Sequence, residues 1–401
     1  MGLSTTEPGA LASGRRLAAL LYALVFVAAV AQTALVPLLP GLVDHDGLST
    51  AAAAALIAAP GAATFAVALP AGAIADRVGA RRLTLGAGVL LTMGVLGQAV
   101  PGTAWLLGGR LAFGVAYGIV WTTAVAWLAA HDAEADDATR SRRQAAIVTC
   151  AASGVAAGPA FGALLGDRLG FAAPFLVAGL IAAAVTVGLA TVSRGAAPAA
   201  PASEPALSGL ARAGRGLAPG ALALALSGAT NATLQLLVPM QLHRSGLATA
   251  SIGLAFSAAA GLYIAISALV VRLGRRAATP QTNAIAAALL ALALLPAGSS
   301  GTAVAVLATM ALTVVPRATL GTIAYPLATD EAARAGVGHG VAIGLLNGAW
   351  AAAMVAAPFA VGAVSHWAGM RAAWLTTLGV AALAAIWLLA DRASRPARAT
   401  A

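Results

Sequence analysis

Apolar residues fill this chain in long unbroken blocks, and the polar residues gather in short gaps between them. Blocks long enough to cross a bilayer as helix, about 20 residues each, recur from end to end. Their limits predict twelve spans near 17–40, 50–75, 83–101, 104–130, 144–166, 172–192, 217–241, 249–271, 281–297, 302–328, 340–364 and 372–390. Periodicity adds little, because a helix set among lipid and other helices is apolar on every side. The stretch 193–216 is rich in Ala, Pro, Gly and Ser, the composition of a flexible connection. The expected layout is a cytoplasmic tail (1–16), a six-helix bundle (17–192), a cytoplasmic linker (193–216), a second six-helix bundle (217–390) and a cytoplasmic tail (391–401).

The gaps between blocks test that count. With twelve spans, one side of the membrane receives Arg15, Arg16, Arg77, Arg81, Arg82, Arg140, Arg142, Arg143, Arg194, Arg212, Arg215, Arg272, Arg275, Arg276, Arg334, Arg392, Arg395 and Arg398. The other side receives only Arg168, Arg244 and Arg371, while Arg110 and Arg317 fall inside spans. Arginine marks the cytoplasmic side of short loops, so both termini are expected in the cytoplasm of a multi-pass cell-membrane protein. A missed or added span in the middle would scramble this asymmetry. The basic start of the first span and Ala29-Val30-Ala31 resemble a cleaved signal. The apolar run continues to Pro40, however, which favours a retained span.

The chain also repeats itself. A shift of 199 residues places Gln32 on Asn231, Pro40 on Pro239, Gly47 on Gly246, Pro159 on Pro358, Gly170 on Gly369 and Phe175 on Trp374. Near the first charged hinge the shift falls to 195, which sets Gly79 on Gly274. Alanine-rich chains match by chance, so only the Pro, Gly and polar pairs count. They predict an all-α membrane protein, two six-helix bundles related by a pseudo-twofold axis, with substrate held between halves.

Composition narrows the classes of function. Hydrophobic residues make up 60% and charged residues 9%, against roughly a quarter charged in soluble domains, and the mean hydropathy is +0.90. All 23 basic residues are arginine. Without lysine there is no phosphate-binding P-loop lysine and no Schiff base. The single Cys150 excludes an intrachain disulfide or a thiolate metal cluster. The net charge of +10 is spread over short loops rather than gathered in a basic domain, so nucleic acid is not an expected partner. No His-Glu-x-x-His or Gly-x-Ser-x-Gly occurs, and the 131–137 cluster reads as a solvated loop rather than a metal site. Neither an embedded enzyme nor a receptor with its own sensing domain fits. No cofactor is expected.

Three motifs carry chemistry. Between the second and third spans, Gly72, Asp76, Arg77, Gly79, Arg81 and Arg82 form a charged turn in otherwise apolar sequence. Within the fourth span, Arg110 precedes Gly114 by one turn; such an arginine costs about 2.5–3.5 kcal/mol to insert unless it faces protein or water. In the fifth span Gly154, Gly158, Pro159 and Gly162 make a small-residue stripe with a proline bend. Together these resemble the major facilitator superfamily, and the fifth-span pattern resembles its twelve-helix drug:proton antiporter branch. The resemblance covers essentially the whole chain. It implies a small-molecule substrate, protons as coupling ion, a monomer in the lipid bilayer, and efflux by alternating access. It also implies that Asp76 latches one state against a helix N-terminus, with the loop arginines pairing Asp132 or Glu134, and that the fifth span seals or rocks a gate. The second hinge carries Val271 in place of the acid and cannot form that latch.

The substrate path is read from polar residues inside spans. Gln32 and Asn231 occupy equivalent repeat positions, and Gln235 follows Asn231 by one turn. Arg110, Trp121, Tyr263, Arg317, Asn347 and Trp350 complete the expected cavity set, with Thr122, Thr230 and Thr233 beside them. The sequon at Asn231 lies within a span and is not a glycosylation site. All 13 acids fall in loops, tails or helix ends, so no carboxylate stands ready to exchange a proton for substrate in mid-membrane. Two buried arginines favour an anionic solute, and a facilitator or importer of an anionic metabolite is the alternative. Arginines that snorkel or bond helix carbonyls are the structural alternative.

Overall fold

The computed structural model of the chain describes residues 8–44, 47–131, 137–192, 210–335 and 339–394. Every element among the described residues is helical. In order they are α1 (Pro8–Ala34), α2 (Leu39–Asp44), α3 (Thr50–Val78), α4 (Ala80–Gly97), α5 (Thr103–His131), α6 (Asp137–Leu169), α7 (Ala173–Ala190), α8 (Leu210–Arg244), α9 (Thr249–Leu273), α10 (Pro280–Ala293), α11 (Leu295–Ser299), α12 (Ala303–Leu312), α13 (Val314–Arg334) and α14 (His339–Ser394). Among the described residues, ten helical stretches are long and apolar enough to cross a bilayer. The last covers 53 residues, and inside it Gly369 leaves the helical region at φ 84, ψ 164. Large apolar side chains point outward all along these helices: Trp367 is 85%, Leu383 68% and Leu180 64% exposed. Water would penalise such surface, whereas lipid tails solvate it.

Several expected spans are interrupted, and proline is the cause. The first divides into α1 and α2 through a 3-10 turn at Val36–Leu38, where Pro37 and Pro40 each lack the N–H that would bond the preceding turn. The ninth breaks at Leu294, ahead of Pro296, and the Ala297 N–H donates instead to Thr309 Oγ1 at 3.0 Å. The tenth breaks at Thr313, ahead of Pro316, and the Thr313 hydroxyl donates back to the Met310 carbonyl at 3.0 Å. The expected linker 193–216 lies mostly outside the described residues, but α8 already begins within it at Leu210.

The repeat has a conformational counterpart. Gly47 and Gly246, Gly79 and Gly274, and Gly170 and Gly369 are the three glycine pairs aligned by the sequence shifts. All six adopt positive φ, between 56° and 89°. Only glycine takes that conformation without strain, so the two halves place their sharp turns at matching sequence positions.

The chain divides into two compact units, 1–38 with 59–202, and 39–58 with 203–401. In the first, α6 lies along α1, and α5 approaches α3 so closely that a Cβ on Gly114 would stand 2.7 Å from the Pro60 carbonyl oxygen. In the second, α8 packs against α13 and α14. The segment 39–58, expected inside the first bundle, belongs to this second unit. Asp44 there accepts from His243 at 3.2 Å, and Gly362 leaves room for Ala54.

Candidate functional site

The fifth-span motif lies on α6 of the first unit and faces α1. Gly154, Gly158, Gly162 and Gly166 recur every four residues and so share one helix face. A Cβ on Gly154 would stand 2.5 Å from the Phe26 carbonyl oxygen and 2.7 Å from Ala29 Cβ. On Gly158 it would overlap Thr33 Oγ1, and on Gly162 the Ala34 carbonyl oxygen. The Thr33 hydroxyl crosses the seam to donate to the Val155 carbonyl at 3.1 Å. Backbone therefore meets backbone along some three turns, with Pro159 buried in the same helix.

The charged hinge is a helix–turn–helix. α3 ends at Val78, Gly79 turns at φ 89, and α4 starts at Ala80. The surroundings of Gly72 and the side chain of Asp76 lie outside what is described, as do Asp132 and Glu134, so the expected latch and its acid partners do too. Arg77 and Arg82 are exposed. Arg81 instead reaches the end of α7, donating from Nη2 to the carbonyls of Ala190 at 2.9 Å and Val192 at 3.3 Å. A cation on the last carbonyls of a helix satisfies groups that lack intrahelical partners and complements the helix dipole. Replacing Arg81 with alanine is expected to destabilise the first unit by about 1–2 kcal/mol. Thermal unfolding in detergent checks this, with Arg81→Lys recovering part of the loss.

The two intramembrane arginines differ. Arg110 is 2% exposed; its Nη1 donates to the Gln32 carbonyl at 3.1 Å and its guanidinium stands 5.9 Å from the Phe113 ring. It is enclosed by protein and held by a helix carbonyl. Gln32 is half-buried beside it. Trp121, 38% exposed, lies eleven residues along α5 from Arg110, about 16 Å at the helical rise. The first unit thus brings Gln32 and Arg110 together and leaves Trp121 apart.

The second unit joins three of its candidates, Arg317, Asn231 and Tyr263. Arg317 is half-buried on α13; its Nη2 donates to Asn231 Oδ1 on α8 at 2.5 Å, and its guanidinium stands 5.6 Å from the Tyr263 ring on α9. Its Nε is buried without a hydrogen-bond partner, an omission that costs about 1–3 kcal/mol. Asn231 Nδ2 in turn donates to Met354 Sδ on α14 at 3.6 Å. Trp350 packs on Gly228, where a Cβ would stand 2.9 Å from its ring. Asn347 accepts from the Tyr325 hydroxyl at 2.8 Å. Gln235 is half-buried one turn beyond Asn231.

Sequence reasoning missed Ser227, Gly321, Tyr325 and Met354. Helical spacing held the signal for three of them. Ser227, Asn231 and Gln235 lie four residues apart, as do Arg317, Gly321 and Tyr325, so each trio marks one stripe. Gly321 lacks the side chain that would meet Tyr263: a Cβ there would stand 2.7 Å from its hydroxyl oxygen. A separate depression sits at the end of α13, lined by Asn283, Asp330, Glu331, Arg334 and Asp391, with Arg334 paired to Glu331 at 2.5 Å. Asp330 is thirteen residues beyond Arg317, about 20 Å along the helix. Among the described residues no group of His, Cys, Asp and Glu could hold a metal ion.

Sequence comparison places the chain in a family. The Major Facilitator Superfamily model matches residues 21–342, so the chain belongs to that superfamily and is a transporter rather than an enzyme. No relative is found among curated protein sequences. Among solved structures, a bacterial homolog of the human lysosomal transporter Spinster, inward-facing and unoccupied, shares 14% identity at a TM-score of 0.78, over 98% of this chain and 100% of that one. The nucleoside transporter NupG shares 16% identity at 0.73, over 94% and 99%. The human organic anion transporter MFSD10 shares 19% identity at 0.62, over 94% and 99%. At these identities the likeness is one of fold.

Proposed function

We propose that this chain is a secondary active transporter of the cell membrane that exports a small organic molecule by alternating access, in antiport with protons. Twelve spans follow if α1 with α2, α10 with α11, and α12 with α13 each cross once, α4 crosses, and α14 crosses twice about Gly369. Six per half then matches the repeat, and both termini lie in the cytoplasm. Alternating access requires two bundles that rock against each other while each stays rigid. The observation that carries the export reading is the glycine face of α6 set directly on α1, since it gives the antiporter-like motif a mechanical role. A seam of bare backbone lets two helices move as one piece beside a gate.

Purified protein in proteoliposomes with an imposed pH gradient tests this. Solute movement is expected to follow the gradient, to stop when a protonophore collapses it, and to slow in Asp76→Asn. Solute movement indifferent to the gradient refutes proton antiport. A second reading, a facilitator or importer of an anionic metabolite, is favoured by Arg317, a cation inside a span with neutral neighbours.

A further inference from the structure

We infer that the transported solute carries a carboxylate or similar oxyanion, and that it docks on the Nε–Nη2 edge of Arg317, displacing the side-chain oxygen of Asn231. This rests on the transport reading above and names the substrate class of the same site.

An arginine in a membrane span ordinarily meets a counter-charge. Among the described residues, no carboxylate is bonded to Arg317. Helices α8, α9, α10, α11 and α12 contain no Asp or Glu, the acids of α13 are Asp330 and Glu331 in its last turns, and that of α14 is Asp391 near its end. The partners present are neutral: Asn231 Oδ1 on Nη2, the Tyr263 ring, and Ser227, whose hydroxyl donates to the Arg317 carbonyl at 3.3 Å. Guanidinium presents parallel N–H groups in a planar fork that matches the two oxygens of a carboxylate. In this structure one tooth of the fork carries an amide oxygen and the other, Nε, carries nothing. Asn231 therefore acts as a neutral placeholder where an anion would bond twice.

Three features suit exchange rather than permanent closure. Beyond its bond to Arg317, the Asn231 side chain has a long contact to Met354 sulfur. Tyr263, Asn231 and Arg317 each keep part of their side chain exposed around the buried Nε. Gly321 opens the space in which the Tyr263 hydroxyl sits. Arg110 offers the contrast. Its exposure is 2% and a helix carbonyl takes its Nη1, so the first unit holds an enclosed cation where the second holds a half-buried one.

Binding to purified full-length protein in nanodiscs tests the inference. The probes are benzoate, 2-naphthoate and decanoate, each against its own primary amide and amine, read by tryptophan fluorescence and thermal shift. At least one acid is expected to bind tenfold or more tighter than its amide. Arg317→Gln removes that preference and Arg317→Lys keeps part of it. Asn231→Asp places a carboxylate on the fork within the chain, so it is expected to raise the melting temperature without ligand and to abolish acid binding. Acids that bind no better than amides, or an acid preference that survives Arg317→Gln or Asn231→Asp, overturn the assignment. Transport of neutral or cationic solutes alongside absent acid preference sinks this inference and leaves the transport reading standing. Acid binding with no transport of any probe under pH or potential gradients does the reverse.

Discussion

Gly158→Val is expected to abolish transport and most of the folded yield, while Gly86→Ala, elsewhere in the first unit, leaves both intact or slightly improved. The two substitutions differ in what the new side chain meets. At Gly158 a Cβ lands on Thr33 Oγ1 and 2.5 Å from the Val30 carbonyl oxygen. That carbonyl belongs to α1 and cannot turn away without breaking the helix. Ordinary overpacking costs about 1–3 kcal/mol. Here rigid backbone is the obstacle, so α1 and α6 must separate and the whole stripe from Gly154 to Gly166 loses contact. In lipid no hydrophobic force holds two helices together, so close packing supplies much of their attraction. Gly86, in contrast, has nothing within 4 Å of a new Cβ, and alanine favours a helix interior by up to about 1 kcal/mol over glycine. Monodisperse yield, melting temperature and proteoliposome transport are the measurements. Gly158→Ala should fall between the two, losing stability before it loses transport. A wild-type melting temperature in Gly158→Val would show that α6 does not lie on α1 as described.

Much of this seam was legible before any coordinates, because four glycines at intervals of four can share only one face of a helix. The turn glycines were legible as well: Gly79, Gly170 and Gly369 each take positive φ where apolar blocks give way to one another. What the sequence concealed was partnership. Arg110 and Arg317 look alike as lone cations in apolar runs. One meets a carbonyl in a closed interior and the other an amide at a half-buried position, a difference set by neighbours 78 and 86 residues away. Tyr325 escaped notice because it lies near the charged end of α13, although its spacing from Arg317 marks it. The proline breaks at Leu294 and Thr313 were hidden differently, since a hydropathy window passes over a missing hydrogen bond.

A second large effect is expected at Gln241. Its Oε1 accepts from the Trp374 indole at 2.7 Å, and its Nε2 donates to the Gly301 carbonyl at 3.2 Å. One amide thus ties α8 to α14 and to the turn ahead of α12. Trp374 is wholly buried and Gln241 is 7% exposed. Gln241→Leu keeps the bulk and strands the indole N–H in an apolar interior, which costs about 1–3 kcal/mol for the unpaired donor. Gly301 is exposed, so water can replace its lost partner. Removing both members of a buried pair costs far less than removing one. The repeat supplies the replacement: the shift of 199 that aligns Trp374 with Phe175 aligns Gln241 with Leu42. The double variant Gln241→Leu/Trp374→Phe therefore installs the residues that the sequence carries at the two aligned positions. It is expected to regain most of the stability that Gln241→Leu loses, and the coupling in this cycle measures the hydrogen bond itself. Additive losses, with the double variant less stable than either single one, would mean that Gln241 stabilises the second unit by packing and that its bond to Trp374 contributes nothing.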